Sequence, residues 1–212
     1  MLAIEILTMN PLYILHDTNC ISVGKRARKE RKETFEEARK YYINQFIAEH
    51  SSIEWIDFRI VDIDCRGDIA SHFVRHCKGH PRFIVQSSRP DWNGGEPRKP
   101  LDKTDVMFTS KWTAYSFIQM CRQRLCSRAS KVDRDILKKV LTLMRDSGDP
   151  YFSALSFCCV PNCIYRYGCP ESKETSCNLD KADDFYTLQI RDIYCRYGVF
   201  NEKYSKLKYM EK

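Results

Sequence analysis

Three observations predict a mixed helix-and-strand domain for this chain. Strand-like alternation appears in Ala3-Ile4-Glu5-Ile6-Leu7-Thr8 and again from Ile56 to Ile63. Apolar residues at helical spacing run through Phe35, Ala38, Tyr42, Phe46 and Ile47, and later from Val132 to Met144. The composition, 43% hydrophobic and 12% aromatic over 212 residues, is enough to close a core and excludes a disordered chain. No repeat or compositional break divides the sequence. Residues 1–212 therefore read as one domain, with a Cys-rich segment at 158–177 and a polar tail from Asn201.

Each element has a local reason. Asn10-Pro11 ends the opening strand. The first apolar stripe predicts an amphipathic helix from about Lys32 to Glu49. After the strand over 56–63, Gly67-Asp68 opens a short helix, with Asp68 as its expected cap. Asp91 to Asp105 (DWNGGEPRKPLDKTD) is rich in Gly, Pro and charge, and loops longer than about 12 residues are often lids or binding loops. A long helix is expected from about Ser110 to Ala129, with Trp112, Tyr115, Phe117, Ile118, Met120 and Cys121 as its apolar surface. A second apolar face (Val132, Ile136, Leu137, Val140, Leu141, Met144) continues to Arg145, where Gly148-Asp149-Pro150 stops it. Phe185 to Tyr197 reads as a final helix.

The stretch from Ile69 to Trp92 (IASHFVRHCKGHPRFIVQSSRPDW) concentrates the chemistry. It holds His72, His76 and His80, Arg75, Arg82 and Arg89, and the Gln86-Ser87-Ser88 cluster. Ile69, Phe73 and Val74 form an apolar face at helical spacing, which places Arg75 and His76 at the end of a short buried helix. Beyond Gly79 and Pro81, Arg82 to Ser87 is β-like. That order directs guanidinium, imidazole and hydroxyl groups into one concavity, as an anion site requires. The competing reading is a basic, solvated helix-to-strand connection.

The net charge of +7 suits an anionic ligand, whether nucleotide, nucleic acid or acidic surface. Much of the excess sits in Lys25 to Lys32, read as a solvated loop and first helical turn or as a phosphate contact. No apolar run approaches the roughly 18 residues needed to span a bilayer. The N-terminus lacks the pattern of a secretory signal. A soluble cytoplasmic protein is the expectation. In that compartment the eleven cysteines are reduced thiols rather than a disulfide framework. The scattered ones, Cys20, Cys65, Cys77, Cys121, Cys126 and Cys195, read as small buried hydrophobes.

Three blocks in order resemble the flavin-dependent thymidylate synthases, which methylate dUMP using FAD and a folate one-carbon donor. Glu49-His50-Ser51-Ser52-Ile53-Glu54-Trp55 is similar to the family's H-x-S-x-x-E-H, matching at Ser51 and Glu54. Phe73-Val74-Arg75-His76-Cys77 resembles the start of its R-H-R signature, and Gln86-Ser87-Ser88-Arg89 its later S-x-R. Arg124 to Arg134 is similar to R-x-x-x-x-A-Q-x-E-x-R, matching at Arg124, Ala129 and Arg134. The chain departs at Cys77 and at Ser130 and Val132, which replace Gln and Glu. It departs also at Tyr115, where members commonly carry a nucleotide-binding arginine. The resemblance spans roughly residues 35 to 180.

The resemblance implies an α+β fold, a twisted and mainly antiparallel sheet flanked by helices, and a homotetramer with FAD and dUMP between subunits. NADPH and methylenetetrahydrofolate complete the implied cofactor set. Carried over by position, Arg75, His76 and Arg124 would contact FAD, with Ser51 and Glu54 lining the flavin site. Ser-x-x-Glu is equally a helix-capping box. Ser87, Ser88 and Arg89 would hold the nucleotide's phosphate or sugar, with Arg75 near it. His72 is a further substrate candidate, and a satisfied core histidine is the competing reading of His76. Arg134 would sit against the uracil ring as the catalytic group, favouring an enolate-like form. The reduced flavin would supply hydride and the protein orientation and charge.

Cys158-Cys159, Cys163, Cys169 and Cys177 fall beside Pro161, Gly168 and Pro170, and some similar sequences carry such a segment. Cys158, Cys163, Cys169 and Cys177 could hold zinc or an iron–sulfur cluster, but their spacing lacks paired C-x-x-C. Reduced thiols in an irregular loop are the preferred reading, with no metal. Two alternatives to dUMP methylation stay open: another pyrimidine nucleotide or hydroxymethyl transfer, and a Cys-rich nucleic-acid-binding module.

Overall fold

The computed structural model describes residues 3–6, 34–49, 51–54, 57–75, 83–85, 105–165 and Glu171. Strands β1 (Ala3–Ile6), β2 (Asp57–Arg66), β3 (Phe83–Val85) and β4 (Asp105–Thr113) form an antiparallel sheet ordered β1-β2-β4-β3. Helices α1 (Phe35–Ile47), α2 (Gly67–Arg75), α3 (Ala114–Arg124), α4 (Lys131–Asp146), α5 (Pro150–Cys158) and α6 (Asn162–Tyr165) accompany it. The class is α+β. Among the described residues no helix is long and apolar enough to cross a membrane.

The long central pair β2–β4 carries a β-bulge. Ile60 faces Ser110 and Ile63 faces Phe108, so residues 61 and 62 stand opposite Thr109 alone. That extra residue resets the alternation, and Phe58, Ile60 and Ile63 all reach the core despite their uneven spacing. From β4, Val106, Ser110 and Trp112 point the same way. Helices α3 and α5 close this face through edge-to-face ring contacts. Phe58 meets Phe117 at 5.4 Å and Phe152 at 5.6 Å, and Trp112 meets Phe117 at 5.7 Å between ring centres. Helix α1 joins through Tyr42 and Phe46, each 5.4 Å from Tyr151.

Side chains set most helix starts. Thr34 and Glu37 form a reciprocal capping box at α1, so the helix begins at Phe35 rather than near Lys32. Thr113 and Ser116 do the same for α3. Ser130 caps α4. Asp149 caps α5 by accepting from the amides of Tyr151 and Phe152 at 2.7 and 3.2 Å, with Pro150 in the first turn. Gly148, at φ +74°, makes the left-handed turn that ends α4.

The structure corrects several expectations. Residues 110–113 belong to β4, and the helix expected from Ser110 starts at Ala114. Ser110 misled the reading by placing a polar residue at an inward strand position, where it accepts a hydrogen bond from Trp112 Nε1 at 2.7 Å. Asp105 opens β4 rather than closing the loop. Asp68 lies inside the first turn of α2, and its carboxylate is taken by Arg66 at 2.8 and 3.1 Å. Gly148-Asp149-Pro150 ends one helix but also starts another, the buried α5. Ala70, rather than Val74, completes the buried face of α2. The readings at Asn10-Pro11, Lys25–Lys32, most of the 91–105 loop, Phe185–Tyr197 and the tail lie outside the described residues.

Candidate functional site

Helices α2 and α4 meet at a carboxylate. Asp133 lies in the first turn of α4 with its side chain 0% exposed. Its two oxygens stand 3.2 and 3.1 Å from His72 Nδ1 on α2. Arg124, the last residue of α3, donates from Nη1 to the same carboxylate at 3.4 Å and from Nη2 to the carbonyl of His72 at 3.3 Å. Its Nε is buried with no acceptor among the described residues. Three elements thus converge on one buried anion, with an imidazole at the margin, 29% exposed.

The neighbouring candidates arrange around this junction. Arg75 is three residues beyond His72 on α2, which puts it on the same helical face, and it is exposed. Arg134 adjoins Asp133, and its Nη1 donates to the carbonyls of Cys126 at 3.2 Å, Ala129 at 2.7 Å and Ser127. It thereby clamps the turn between α3 and α4. Ser130 and Val132, the departures noted in the sequence, have clear local roles: Ser130 accepts from the Asp133 amide, and Val132 is 47% exposed. The acid of this segment sits one residue later than the resemblance places it. One residue on a helix is a rotation of about 100°. That turn carries the carboxylate from solvent into the α2 interface.

Sequence reasoning missed Asp133. Its only signal was an acid in the first turn of a helix, which is commonplace. Cys65, at the end of β2, is also near: burial and the charge of Asp64, with a smaller contribution from Asp133, push its thiol up to about 11. It is protonated at neutral pH and is no nucleophile there.

A second polar cluster lies on the other side of α3. Arg122, 7% exposed, pairs with Glu49, and its guanidinium lies 3.3 Å above the Tyr165 ring centre. Tyr165 donates its hydroxyl to Glu49 at 2.9 Å. Burial is the main cause of the upward shift of that phenol, with Arg122 opposing it and the bond to Glu49 adding to it. Glu49 adopts φ +50°, left-handed backbone that is unusual for a residue with a side chain. Ser51 and Glu54 follow in a 3-10 turn, in which Ile53 is buried and Glu54 exposed. No described helix follows that turn, so it caps none.

Cys158 and Cys159 are buried at the end of α5, and Cys163 is half-buried on α6. Burial, then the hydrogen bond its own thiol shares with the Cys121 side chain, pushes the Cys159 thiol well above its ordinary value. Among the described residues no three His, Cys, Asp or Glu side chains are grouped to hold a metal. Cys169 and Cys177 lie outside the described residues, as do His76, Ser87, Ser88, Arg89 and the side chain of Ser51.

The fold and junction define an α+β domain with a polar seam between two helices at the sheet's edge of the core. Among solved structures, the chain is similar to the UMP/dUMP methylase PolB from Streptomyces cacaoi, solved with 5-Br dUMP. The TM-score is 0.50 at 11% identity, over 74% of this chain and 95% of that one, a likeness of fold. No protein-family model matches the chain, and no curated protein matches its sequence.

Proposed function

We propose that this protein is a flavin-dependent methylase of a uracil nucleotide, converting dUMP to dTMP with FAD, NADPH and methylenetetrahydrofolate. One observation carries the reading. Helix α2, on which the second family-like block begins at Phe73, meets the third block, about fifty residues later in sequence, where the adjacent His72 and Arg124 share Asp133. The fold likeness to a UMP/dUMP methylase supports it.

The residues present fit an anionic cofactor and substrate. A buried guanidinium edge without an acceptor at Arg124, with exposed Arg75 on the adjoining face, suits phosphate or a flavin pyrophosphate. The bound flavin would supply hydride. Arg75, His76, Arg124, Ser51 and Glu54 would hold it. Ser87, Ser88, Arg89 and His72 would hold the nucleotide, with Arg134 against its base. Arg134 retains guanidinium nitrogens beyond the Nη1 that clamps the turn. In this reading the active unit is a homotetramer with sites between subunits. The neighbour is a methylase of UMP as well as dUMP, which favours a second reading within the class, with UMP in place of dUMP.

Visible absorption of the purified protein tests the proposal. Flavin bands are expected, as isolated or after adding FAD, together with product from dUMP. A colourless protein that FAD cannot reconstitute would sink it. Arg134→Ala is expected to abolish turnover while sparing flavin absorbance; retained turnover removes Arg134 from the catalytic role.

A further inference from the structure

The seam between α2 and α4 fixes more than a charge pair. Asp133 is an acceptor only, and both its oxygens lie within hydrogen-bonding distance of His72 Nδ1, at 3.2 and 3.1 Å. Arg124 already meets the carboxylate's single negative charge. In its neutral form the imidazole therefore carries its proton on Nδ1, facing the carboxylate, and its Nε2 carries a lone pair. Arg124 also holds the carbonyl of His72, so the backbone beneath the ring is fixed from the same guanidinium. Nε2 has no hydrogen-bond partner among the described residues, and the ring is 29% exposed. The result is a hydrogen-bond acceptor of fixed orientation, beside cationic groups, at the edge of a buried seam.

Charged groups reach this junction from two neighbouring helices and from its own. Asp133 comes from α4, Arg124 from α3, and Arg75 and Asp68 share its own helix. Cys65 on β2 is a protonated thiol at neutral pH and adds no charge. No described group other than Asp133 offers His72 an acceptor that would pull the proton to the other nitrogen.

We propose that His72 Nε2 reads the base of the bound nucleotide, accepting the N3–H of a uracil ring and rejecting cytosine, whose N3 carries no hydrogen. Asp133 is the positioning residue that sets the tautomer. This rests on the uracil-nucleotide reading and deepens it, since it assigns the discrimination between bases to one nitrogen. A cytosine ring would set two lone pairs against each other. Leaving a buried polar group unpaired in this way costs about tenfold to a hundredfold in affinity.

Two measurements test it. Nitrogen-15 shifts of His72 in the full chain at pH 7.5 should show Nδ1 protonated and Nε2 bare; a ring protonated on Nε2 overturns the proposal without any ligand or variant. Calorimetry should then find dUMP bound more tightly than dCMP by about tenfold to a hundredfold, with the preference lost in His72→Ala. If His72→Ala is folded by circular dichroism and keeps the full preference, the base-reading role falls while the uracil-nucleotide reading stands. If the wild-type chain binds neither nucleotide, with FAD present or absent, both readings fall. His72→Gln supplies a second variant, since its amide can rotate to offer either an acceptor or a donor. It should bind dUMP and dCMP within about threefold of each other; a retained preference in this variant also counts against the proposal.

Discussion

Arg122 and Arg124 leave the same helix almost opposite one another, and each finds a carboxylate. The outcomes differ. Arg122 is closed in by Glu49 and the Tyr165 ring, and the one nitrogen left without a described acceptor, its Nε, is itself buried. Arg124 shares Asp133 with a histidine that keeps one nitrogen without a described partner. The first junction locks α1, α3 and α6 together. The second holds an imidazole in one orientation and leaves it something to do. Burial of an ion pair is therefore not in itself a functional sign; a polar atom left over at its rim is the better one.

The largest expected effect comes from Asp133→Ala. It strands Arg124 and His72 against a buried void and should cost about 3–5 kcal/mol in chemical denaturation. A loss below about 1 kcal/mol would mean the seam is wet, and the contrast with Arg122 would dissolve. Glu49→Gln keeps the shape but removes the charge facing Arg122, and about 2 kcal/mol should follow. Combining it with Arg122→Met should recover much of that loss, because the uncompensated cation is gone; additive losses would show that the pair is not coupled. Thr113→Ala removes the cap of the helix that carries both arginines. It should cost about 1 kcal/mol and weaken neither junction selectively, as hydrogen exchange at Arg122 and Arg124 would reveal.

The smallest effect is alkaline and belongs to the Asp133 side. The Cys65 thiol is held up to about 11 against an ordinary 9.0, so the folded state binds this proton more tightly than the unfolded chain. Its stabilising contribution is whole below pH 9 and is lost as pH rises through 11. Half-exposure keeps that contribution small. Asp64→Asn, which removes the larger of the nearby charges, should narrow this window in a pH series of melting temperatures; an unchanged window would assign the shift to burial alone.

How much of this was legible in the sequence depended on whether a residue's partner was local. The helices α1 and α4 announced themselves through periodicity, and β2 through alternation. Even the bulge left a trace in the step from Ile60 to Ile63. Strand β4 hid because Ser110 breaks its apolar face. Helix α5 hid because it is buried nearly all round and so shows no stripe. At the candidate site, His72, Arg75, Arg124 and Arg134 were named from type and spacing. Asp133 was not, since its meaning lies sixty-one residues away at His72. The motif had placed the acid one position earlier, at an exposed valine.

The backbone at Glu49 sets a narrow tolerance. Glycine, asparagine and aspartate enter the left-handed region most easily, yet none of them extends as far as glutamate toward Arg122 and Tyr165. A side chain long enough for that reach accepts an unfavourable torsion. In a saturation library, then, this position should behave as a two-lock door. Substitutions that relax the turn forfeit the carboxylate's span, those that keep the span hold the strain, and the native residue is the compromise between them.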